Sequence, residues 1–353
     1  MTRTVFIGNV AVGGGAPVSV QSMCNIPFSR PEELKQQALR LQNEGCEILR
    51  VSVPDALSAE RFADLKRILS IPLVADIHFD HRLALAAMRA GADKIRINPG
   101  NFPQEHLKEV VQEARQRHIP IRVGVNAGSL EKDLLRKYGA PTAQALAESA
   151  ARNVQRLEEL DFHDIVVSVK TSDVPQTVEA YRLYDRRYNE HRHPLHIGVT
   201  EAGTLRTGLL CSAAGIGALL LDGIGDTVRV SLSADPTEEV RAAKTLLRVL
   251  GLRKSGLRVV SCPTCGRTTV NSIALAERLE QEFGNISFPL KIAVMGCVVN
   301  GIGEAGEADF GVTGTNGSYV LFRGKTVVKK DIPEEEILDI VRQEIRRIEK
   351  ERT

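Results

Sequence analysis

The sequence of 353 residues has no tryptophan, few aromatic side chains (4%) and almost no surplus of charge, with 46 lysines and arginines against 44 aspartates and glutamates. A formal net charge of +2 provides no bulk attraction to nucleic acids or anionic membranes, although a local basic cluster can still bind phosphate. The sequence also lacks a run of the roughly 20 apolar residues that a membrane-spanning helix needs. The apolar stretch at residues 209–221 is interrupted by Ser212 and by glycines, so we interpret it as a buried helix.

The N-terminal segment MTRTVFIGNV has neither a long apolar stretch nor a small-residue cleavage site, which are the marks of a secretory signal. We therefore expect a cytoplasmic protein, and in that reducing compartment the six cysteines are not expected to form a disulfide framework. They are better interpreted as metal ligands, catalytic thiols or small core residues. A hydrophobic content of 43% and a length of 353 residues predict one large domain and a smaller one.

The first two thirds of the chain repeat one unit, in which a short apolar strand is followed by a polar loop and an amphipathic helix. About eight such units over roughly 250 residues match a closed, TIM-type (β/α)8 barrel. An open, doubly wound sheet is the alternative, but the sequence has no glycine-rich nucleotide fingerprint. A short hairpin at TVFIG precedes the first barrel strand and is expected to close the barrel bottom. We therefore predict a barrel over residues 1–253.

The remaining segment, residues 254–353, has a different pattern. It begins after the basic, turn-forming stretch LRKSG and alternates strands with two helices, with a glycine-rich stretch at residues 301–317. About 100 residues are enough for a hydrophobic core of their own. The sequence therefore predicts a second, α+β domain.

Charged and polar side chains lie at the carboxyl ends of the predicted barrel strands, the end at which barrels build their active sites. Five of them are cations that repel one another and need an anion, and the planar group of arginine matches phosphate oxygens. We therefore predict a phosphate-binding cavity, and the number of cations suits two phosphates. The alternative is that some of these residues form interior salt bridges with Asp76 and Glu201. The residues at these strand ends are Arg50, Asp76, His78, Arg96, Asn98, Arg122, Asn126, Lys170, Glu201, Arg229 and Ser231.

Two further features each have two interpretations. Glu201, in the turn TEAGTLRTG, can act as an acid or base near a ligand, or it can be a carboxylate stabilised by the N-terminus of the following helix. The tract HRHPLH, with His191, His193 and His196, resembles a metal-binding segment. The proline and the basic residues before it favour a solvated turn instead.

Three cysteines stand alone in the C-terminal segment, as Cys262 and Cys265 in CPTC and as Cys297 in GCVVNG. Both motifs follow a predicted strand, so the three thiols can converge. A redox dithiol needs only two cysteines. A closed zinc site needs a fourth cysteine or histidine ligand, but this segment has no further cysteine and no histidine. The pattern favours an iron–sulfur cluster. Zinc completed by Glu304 or water, and inert or redox-active cysteines, stay open as alternatives. Cys24, Cys46 and Cys211 lie in barrel segments, where we interpret them as small core or near-site residues.

The chain as a whole resembles the 4-hydroxy-3-methylbut-2-enyl diphosphate synthases of the non-mevalonate isoprenoid pathway, in their compact bacterial form. The resemblance extends over essentially the whole length and rests on the motifs VQSM, ADIHF, KIRINPGN, IRVGVNAGSLE, HIGVTEAG, GIGDTVRVSL, CPTCGR and GCVVNGIGEA. It implies that the protein reductively opens 2-C-methyl-D-erythritol 2,4-cyclodiphosphate and eliminates water. The electrons would come from flavodoxin or ferredoxin.

The resemblance also implies roles for individual residues. A 4Fe–4S cluster would be held by Cys262, Cys265, Cys297 and Glu304. Glu201 would donate a proton, with Asp76 and His78 nearby. The implied enzyme is a homodimer in which the cluster domain of one subunit caps the barrel of the other. The residues implied to bind the diphosphate are Arg50, Arg96, Arg122, Asn126, Lys170, Arg229 and Ser231.

The chain departs from the family pattern at two places. Cys24, Ile26 and Phe28 replace a threonine-rich stretch after VQSM, and Ile302 replaces a proline in the loop that carries Glu304. Two other functions compete with the synthase. A pterin- or corrinoid-linked methyltransferase barrel would need no cations matched to two phosphates. A non-enzymatic iron–sulfur electron carrier would make no use of the polar residues at the carboxyl ends of the barrel strands.

Overall fold

The structure, a computed structural model, describes residues 1–78, 80–98, 102–299 and 307–352. The chain divides into two compact units, Met1–Arg253 and Lys254–Thr353. Each unit has its own hydrophobic core. No helix among the described residues combines the length and the apolar character that crossing a bilayer requires.

The first unit begins with an antiparallel hairpin of β1 (Val5–Ile7) and β2 (Val10–Val12). Ile7 and Val12 pack against Ile48 and Val74, which lie in the first half of their barrel strands. The hairpin therefore covers the bottom of the barrel, where the sequence predicted it.

Parallel strands form the barrel wall, and their nearly complete burial explains why they are apolar in sequence. The order around the sheet is β8, β7, β6, β5, β4, β3, β10, β9, so that sequence neighbours are mostly spatial neighbours. In the described part of the chain these strands are β3 (Ser19–Met23), β4 (Ile48–Ser52), β5 (Leu73–Asp76), β6 (Lys94–Ile97), β7 (Ile121–Asn126), β8 (Ile165–Lys170), β9 (His196–Ile197) and β10 (Thr227–Val228).

The barrel closes where β8 meets β9. An isolated parallel bridge joins Val167 to Leu195, and the amide of Val167 donates a hydrogen bond to the carbonyl of Pro194 at 2.9 Å. The TIM-type barrel predicted from the sequence is therefore confirmed, and the open sheet is excluded. β9 and β10 are each only two residues long, although the amide of Arg229, just after β10, still donates a hydrogen bond to the carbonyl of Ile197 at 3.0 Å.

The helices surround this wall, and aspartate caps several of them at the mouth end. Asp55, Asp173 and Asp235 each accept a hydrogen bond from a backbone amide of the first turn that follows. The helices of the first unit are α1 (Pro31–Glu44), α2 (Ala56–Ile68), α3 (His81–Arg89), α4 (Gln104–Gln116), α5 (Lys132–Tyr138), α6 (Ala143–Glu158), α7 (Val174–Arg187), α8 (Leu205–Leu221) and α9 (Pro236–Val249).

Helix α8 contains the apolar stretch at residues 209–221. The prediction that this stretch is a buried helix is wrong, because part of it is exposed. Leu210 and Leu221 are 68% and 76% exposed, whereas Ile216 and Leu219 are buried. A helix on the outside of a barrel packs only one face against the wall, so an apolar sequence on both faces does not make both faces buried.

The second unit is the predicted α+β fold. Its sheet has the order β11, β12, β13, β14, β15, with the first three strands parallel and the last two antiparallel. In the described part of the unit, residues of two helices pack on this sheet and complete the core. The elements that are described over their full length are β11 (Gly256–Ser261), α10 (Ser272–Phe283), β12 (Pro289–Met295), β13 (Phe310–Thr315), β14 (Ser318–Arg323), β15 (Thr326–Ile332) and α11 (Glu334–Arg352).

Candidate functional site

A cavity of about 140 Å³ opens at the carboxyl ends of the barrel strands. Every residue that the sequence assigned to phosphate binding lines it, together with Asp76 and His78. Ser168 and Thr200 also line it and were not predicted. Ser168 lies two residues before Lys170 on β8, and that spacing could have revealed it. The lining residues are Arg50, Asp76, His78, Arg96, Arg122, Asn126, Ser168, Lys170, Thr200, Arg229 and Ser231.

Asp76 is the carboxylate that organises the cations on one side of the cavity. It is 4% exposed, and its two oxygens lie 3.1 Å from Nη1 of Arg96 and 4.0 Å from Nε of Arg50. Nε2 of His78 lies 3.4 Å from the same carboxylate. Burial alone would raise the pKa of Asp76, but Arg50, His78 and Arg96 outweigh it and hold this pKa well below its usual range. Asp76 is therefore an anion that orients cations.

Lys170 is a strongly perturbed cation of the cavity mouth. Burial, followed by the nearby positive charges of Arg122 and Arg229, lowers the pKa of Lys170 well below its ordinary value. Arg122 is also buried and donates to the hydroxyl of Ser168 at 3.2 Å. Since these cations are dehydrated and repel one another, an anion in the cavity would gain more energy from them than from exposed side chains.

Two glycines make room for these cations. A Cβ atom at Gly198 would lie 2.8 Å from Nζ of Lys170 and 2.3 Å from the carbonyl oxygen of Arg229. A Cβ atom at Gly124 would lie 2.5 Å from Nε of Arg96. The absence of these side chains therefore shapes the cavity as directly as the cations do.

Glu239, on α9, was missed by the sequence analysis. Its carboxylate lies 3.4 Å from Nη2 of Arg229 and also accepts hydrogen bonds from the amide of Leu232 and the hydroxyl of Ser22. Glu239 is 4% exposed, and it shares its helix face with buried Val240 and Ala243. A glutamate in phase with core residues is the signal that could have identified it.

The charges do not balance. Five cations (Arg50, Arg96, Arg122, Lys170 and Arg229) face two carboxylates in the described structure, Asp76 and Glu239, which leaves an excess of three positive charges when all are ionised. The interior salt bridges that were the alternative to an anion site therefore exist, but they neutralise only part of the set. The arrangement suits a ligand with several negative charges.

Glu201 is not among the residues that line the cavity. It is exposed and has a left-handed backbone conformation, with φ of 52°, directly after the lining residue Thr200. Helix α8 begins only at Leu205, with Thr204 at its cap, so Glu201 lies outside the first turn. A non-glycine residue at positive φ is costly and concentrates at functional sites.

In the second unit, two of the predicted cluster ligands follow neighbouring parallel strands. Ser261, the last residue of β11, pairs with Val294 on β12, so Cys262 and Cys297 leave the sheet at the same edge. The amide of Gly296 donates a hydrogen bond to Sγ of Cys262 at 3.3 Å. Cys265 is exposed, Cys262 is half-buried and Cys297 is buried.

The loop that carries Cys265 folds back over this edge. The amide of Thr269 donates to the carbonyl of Gly296 at 3.0 Å, and the amide of Cys265 donates to the hydroxyl of Thr268 at 3.2 Å. An amide donating to a cysteine sulfur is one of the interactions that tune iron–sulfur clusters, so the donor set fits such a group. Glu304 and Ile302 lie outside the described residues.

Comparison with known proteins agrees with this arrangement. Residues 2–244 match the GcpE TIM-barrel domain, and residues 258–347 match the GcpE protein C-terminal domain. A 4-hydroxy-3-methylbut-2-en-1-yl diphosphate synthase (flavodoxin) of Caldanaerobacter subterraneus subsp. tengcongensis is 52% identical over 99% of this chain and 98% of its own length. The protein of the same name from Geobacter sulfurreducens is 51% identical over 98% of both chains.

Similarity to solved structures supports the barrel fold only. Dihydropteroate synthase from Stenotrophomonas maltophilia aligns with a TM-score of 0.51 at 15% identity, covering 71% of this chain and 100% of its own. The Yersinia pestis enzyme gives the same TM-score at 11% identity, over 70% of this chain. At such identity the likeness shows a shared fold, whereas the two sequence models span both units. The chain therefore belongs to the GcpE family over its barrel and its C-terminal unit alike.

Proposed function

We propose that the chain is a 4-hydroxy-3-methylbut-2-en-1-yl diphosphate synthase that takes its electrons from flavodoxin. It converts 2-C-methyl-D-erythritol 2,4-cyclodiphosphate to (E)-4-hydroxy-3-methylbut-2-enyl diphosphate. The observation that carries this proposal is the cavity in which five cations face only two described carboxylates, because a cyclic diphosphate supplies the missing negative charge. Family membership over both units supports the same reaction.

The chemistry defines what the protein must provide. Two electrons enter, the bond between a ring carbon and a phosphate oxygen breaks, and a hydroxyl group leaves the adjacent carbon as a carbon–carbon double bond forms. The freed phosphate oxygen keeps its electron pair and its negative charge. The departing hydroxide needs one proton to become water. The protein must therefore hold an increasingly charged diphosphate and supply one proton.

The barrel residues divide between these tasks. Glu201 is the proposed proton donor, since it directly follows the cavity residue Thr200. Asp76 and His78 hold the neighbouring cations in position, with His78 on the exposed side of the carboxylate. The proposed diphosphate ligands are Arg50, Arg96, Arg122, Asn126, Lys170, Arg229 and Ser231.

The proposed cofactor is a 4Fe–4S cluster held by Cys262, Cys265, Cys297 and Glu304. Such a cluster supplies electrons one at a time and can offer an iron with a replaceable oxygen ligand. The hydrogen bond from Gly296 to Cys262 and the lack of histidine in residues 254–353 support it over zinc.

Anaerobically purified protein tests both parts of the proposal. It should be brown, contain about four irons per chain, and convert the cyclodiphosphate when reduced flavodoxin is added. Colourless protein with stoichiometric zinc would refute the cluster. A brown protein that leaves the cyclodiphosphate unchanged but passes electrons to other carriers would instead indicate the non-enzymatic electron carrier.

We also propose that the enzyme is a homodimer in which the cluster unit of one subunit serves the barrel of the other. Two inactive variants test this, Lys170→Met in the barrel and Cys297→Ala in the cluster unit. If the site is shared, mixed dimers contain one intact site, and an equal mixture recovers about a quarter of the wild-type activity after subunit exchange. If each chain uses its own cluster, the mixture stays inactive.

A further inference from the structure

A second cluster of ligand-type side chains lies at the bottom of the barrel, apart from the cationic cavity. It contains Glu158, the last residue of α6, and two histidines of the HRHPLH tract, His191 and His193. The third histidine of the tract, His196, is instead buried in β9. The sequence analysis favoured a solvated turn over a metal site for this tract, and the proposed synthase activity makes no use of it.

Both imidazoles converge on one carboxylate oxygen. Oε1 of Glu158 lies 2.5 Å from Nδ1 of His191 and 2.8 Å from Nε2 of His193. The three ligand atoms lie within 4.8 Å of one another. A fourth candidate, His163, meets the ring of His191 edge-on, with the ring centroids 5.7 Å apart.

The backbone prepares this arrangement. Arg192, between the two histidines, has a left-handed conformation with φ of 53°, and its side chain turns away to Asp185 at 3.1 Å. The amide of Arg3 donates to the carbonyl of Arg192 at 2.7 Å, which fixes the turn from the other side. The left-handed conformation of Arg192 is unfavourable for a non-glycine residue, and it sets the orientation in which both imidazoles face Glu158.

His193 is suited to be a ligand. It is 1% exposed, and its Nε2 atom, 2.8 Å from Oε1 of Glu158, is the ring nitrogen that faces the proposed ion. Since a buried imidazole has few alternative orientations, Nε2 is held in place for a ligand contact.

Zinc fits this donor set with little movement. Bond lengths of about 2.0–2.2 Å to imidazole nitrogen and carboxylate oxygen in a tetrahedral site place the ligand atoms about 3.3 Å apart. The two distances from Glu158 to the histidine nitrogens, 2.5 and 2.8 Å, must each lengthen by less than about 1 Å to accept the ion. A mixed nitrogen and oxygen set of this kind selects zinc and similar first-row divalent ions over calcium or magnesium.

The position of the cluster suggests its role. Glu158 and His163 lie in the chain just before β8, and His191 and His193 lie just before β9. These are the two strands between which the barrel closes, through the bridge of Val167 with Leu195. An ion bound by ligands from both segments would hold this seam together.

We propose that Glu158, His191 and His193 bind one zinc ion, with His163 or water as the fourth ligand, and that the ion fastens the closure of the barrel between β8 and β9. The site is separate from the catalytic cavity. Zinc therefore stabilises the folded barrel by mass action, without entering the reaction.

The test uses the anaerobic holoenzyme, in which the cluster occupies the cysteines, after mild treatment with a chelator. Zinc titration should give one site per chain and raise the melting temperature. Zinc-edge X-ray absorption should show nitrogen and oxygen ligands at about 2.0–2.1 Å and no sulfur at about 2.3 Å. In His191→Gln, whose side chain is exposed, the affinity should fall at least about tenfold, as expected when one ligand is lost, and the melting temperature should no longer respond to zinc.

A second histidine cluster on the barrel, formed by His81, His106 and Glu109, provides the matched control. Its imidazoles stack face to face, and they lie 3.7 and 3.9 Å from different oxygens of Glu109. His81→Gln/His106→Gln should keep zinc binding and its thermal effect. Glu158→Gln should lose them, which guards against a folding defect specific to His191→Gln. Absence of zinc binding in the wild type, a sulfur shell, or a zinc affinity in His191→Gln equal to that of the wild type would overturn the proposal.

Discussion

At the scale of single residues, the cavity concentrates positive charge that water does not screen. Lys170 and Arg122 are buried side by side in the barrel mouth. Separating such side chains from water is costly, and among the described residues Asp76 and Glu239 recover part of that energy. A bound diphosphate would supply the remainder, so binding and protonation in this cavity should be coupled.

Lys170 makes this coupling measurable. Burial and the charges of Arg122 and Arg229 lower the pKa of Lys170 in the empty cavity, whereas a bound anion raises it again. At a pH between these two values, binding of the cyclodiphosphate takes up a proton, and the affinity falls as the pH rises through this window. Calorimetry without reductant, in buffers of different ionisation enthalpy, measures the uptake.

The control for this prediction is Lys170→Met, which should bind more weakly and show a much smaller uptake. Equal proton uptake by the wild type and by Lys170→Met would show that the coupling has another origin.

Gly198 sets the space available to Lys170. In Gly198→Ala the new methyl group would meet the carbonyl oxygen of Arg229, and overpacking of this kind should lower the free energy of unfolding by about 1–3 kcal/mol. Affinity for the cyclodiphosphate should fall as well, because Lys170 would be displaced. Chemical denaturation and calorimetry measure the two effects.

A matched glycine gives the opposite expectation. Gly217 lies within α8, and a Cβ atom there would have no neighbour within 4 Å among the described residues. Gly217→Ala should therefore raise the free energy of unfolding by about 0.5–1 kcal/mol, because alanine favours the helix. The same change of stability in both variants would contradict the packing explanation.

At the scale of secondary-structure elements, helices place charged groups behind the strand ends. Helix α9 presents Glu239 to Arg229, and the first turn of the same helix also carries Glu238, whose side chain is partly exposed. Glu239→Gln leaves a poorly hydrated guanidinium without its carboxylate, which should lower the free energy of unfolding by about 2–3 kcal/mol. Glu238→Gln removes only a surface ion pair with Arg241 and should change it by less than about 0.5 kcal/mol.

The ligand should reverse part of the effect of Glu239→Gln. Since Arg229 then has no competing carboxylate, the cyclodiphosphate should raise the melting temperature of Glu239→Gln by more than that of the wild type. If Glu239 instead only held the geometry of Arg229, the rise would be smaller than in the wild type. Thermal denaturation with and without the ligand separates the two outcomes.

The sequence predicted the barrel because strand and helix periods are local properties, and it predicted the cavity residues because parallel strands bring their carboxyl ends together. The phase of Glu239 with the core residues of α9 could have marked it as buried, but only the packing of α9 shows that it lies next to Arg229. The prediction that α8 is a buried helix was wrong for a similar reason, because hydrophobicity alone does not show which face of a helix the barrel wall covers. The short helix α5 was also missed.

At the scale of the whole molecule, the proposed diphosphate site and the proposed iron–sulfur site belong to different units. All residues that line the cationic cavity lie in Met1–Arg253, and the three cysteines lie in Lys254–Thr353, each unit with its own core. A change in one unit should therefore leave the binding property of the other nearly intact, although both are needed for turnover.

Two variants test this separation directly. Cys297→Ala should lose its iron and its activity, yet still bind the cyclodiphosphate within a few-fold of the wild type, because the charge that holds the anion is in the barrel. Lys170→Met should keep its full iron and sulfide content but bind the anion about tenfold more weakly or worse, the effect of losing one charge-assisted contact of about 1.4 kcal/mol. Iron analysis and calorimetry on the same two proteins suffice. Loss of anion affinity in Cys297→Ala comparable to that in Lys170→Met would mean that the metal centre, and not the barrel alone, holds the diphosphate.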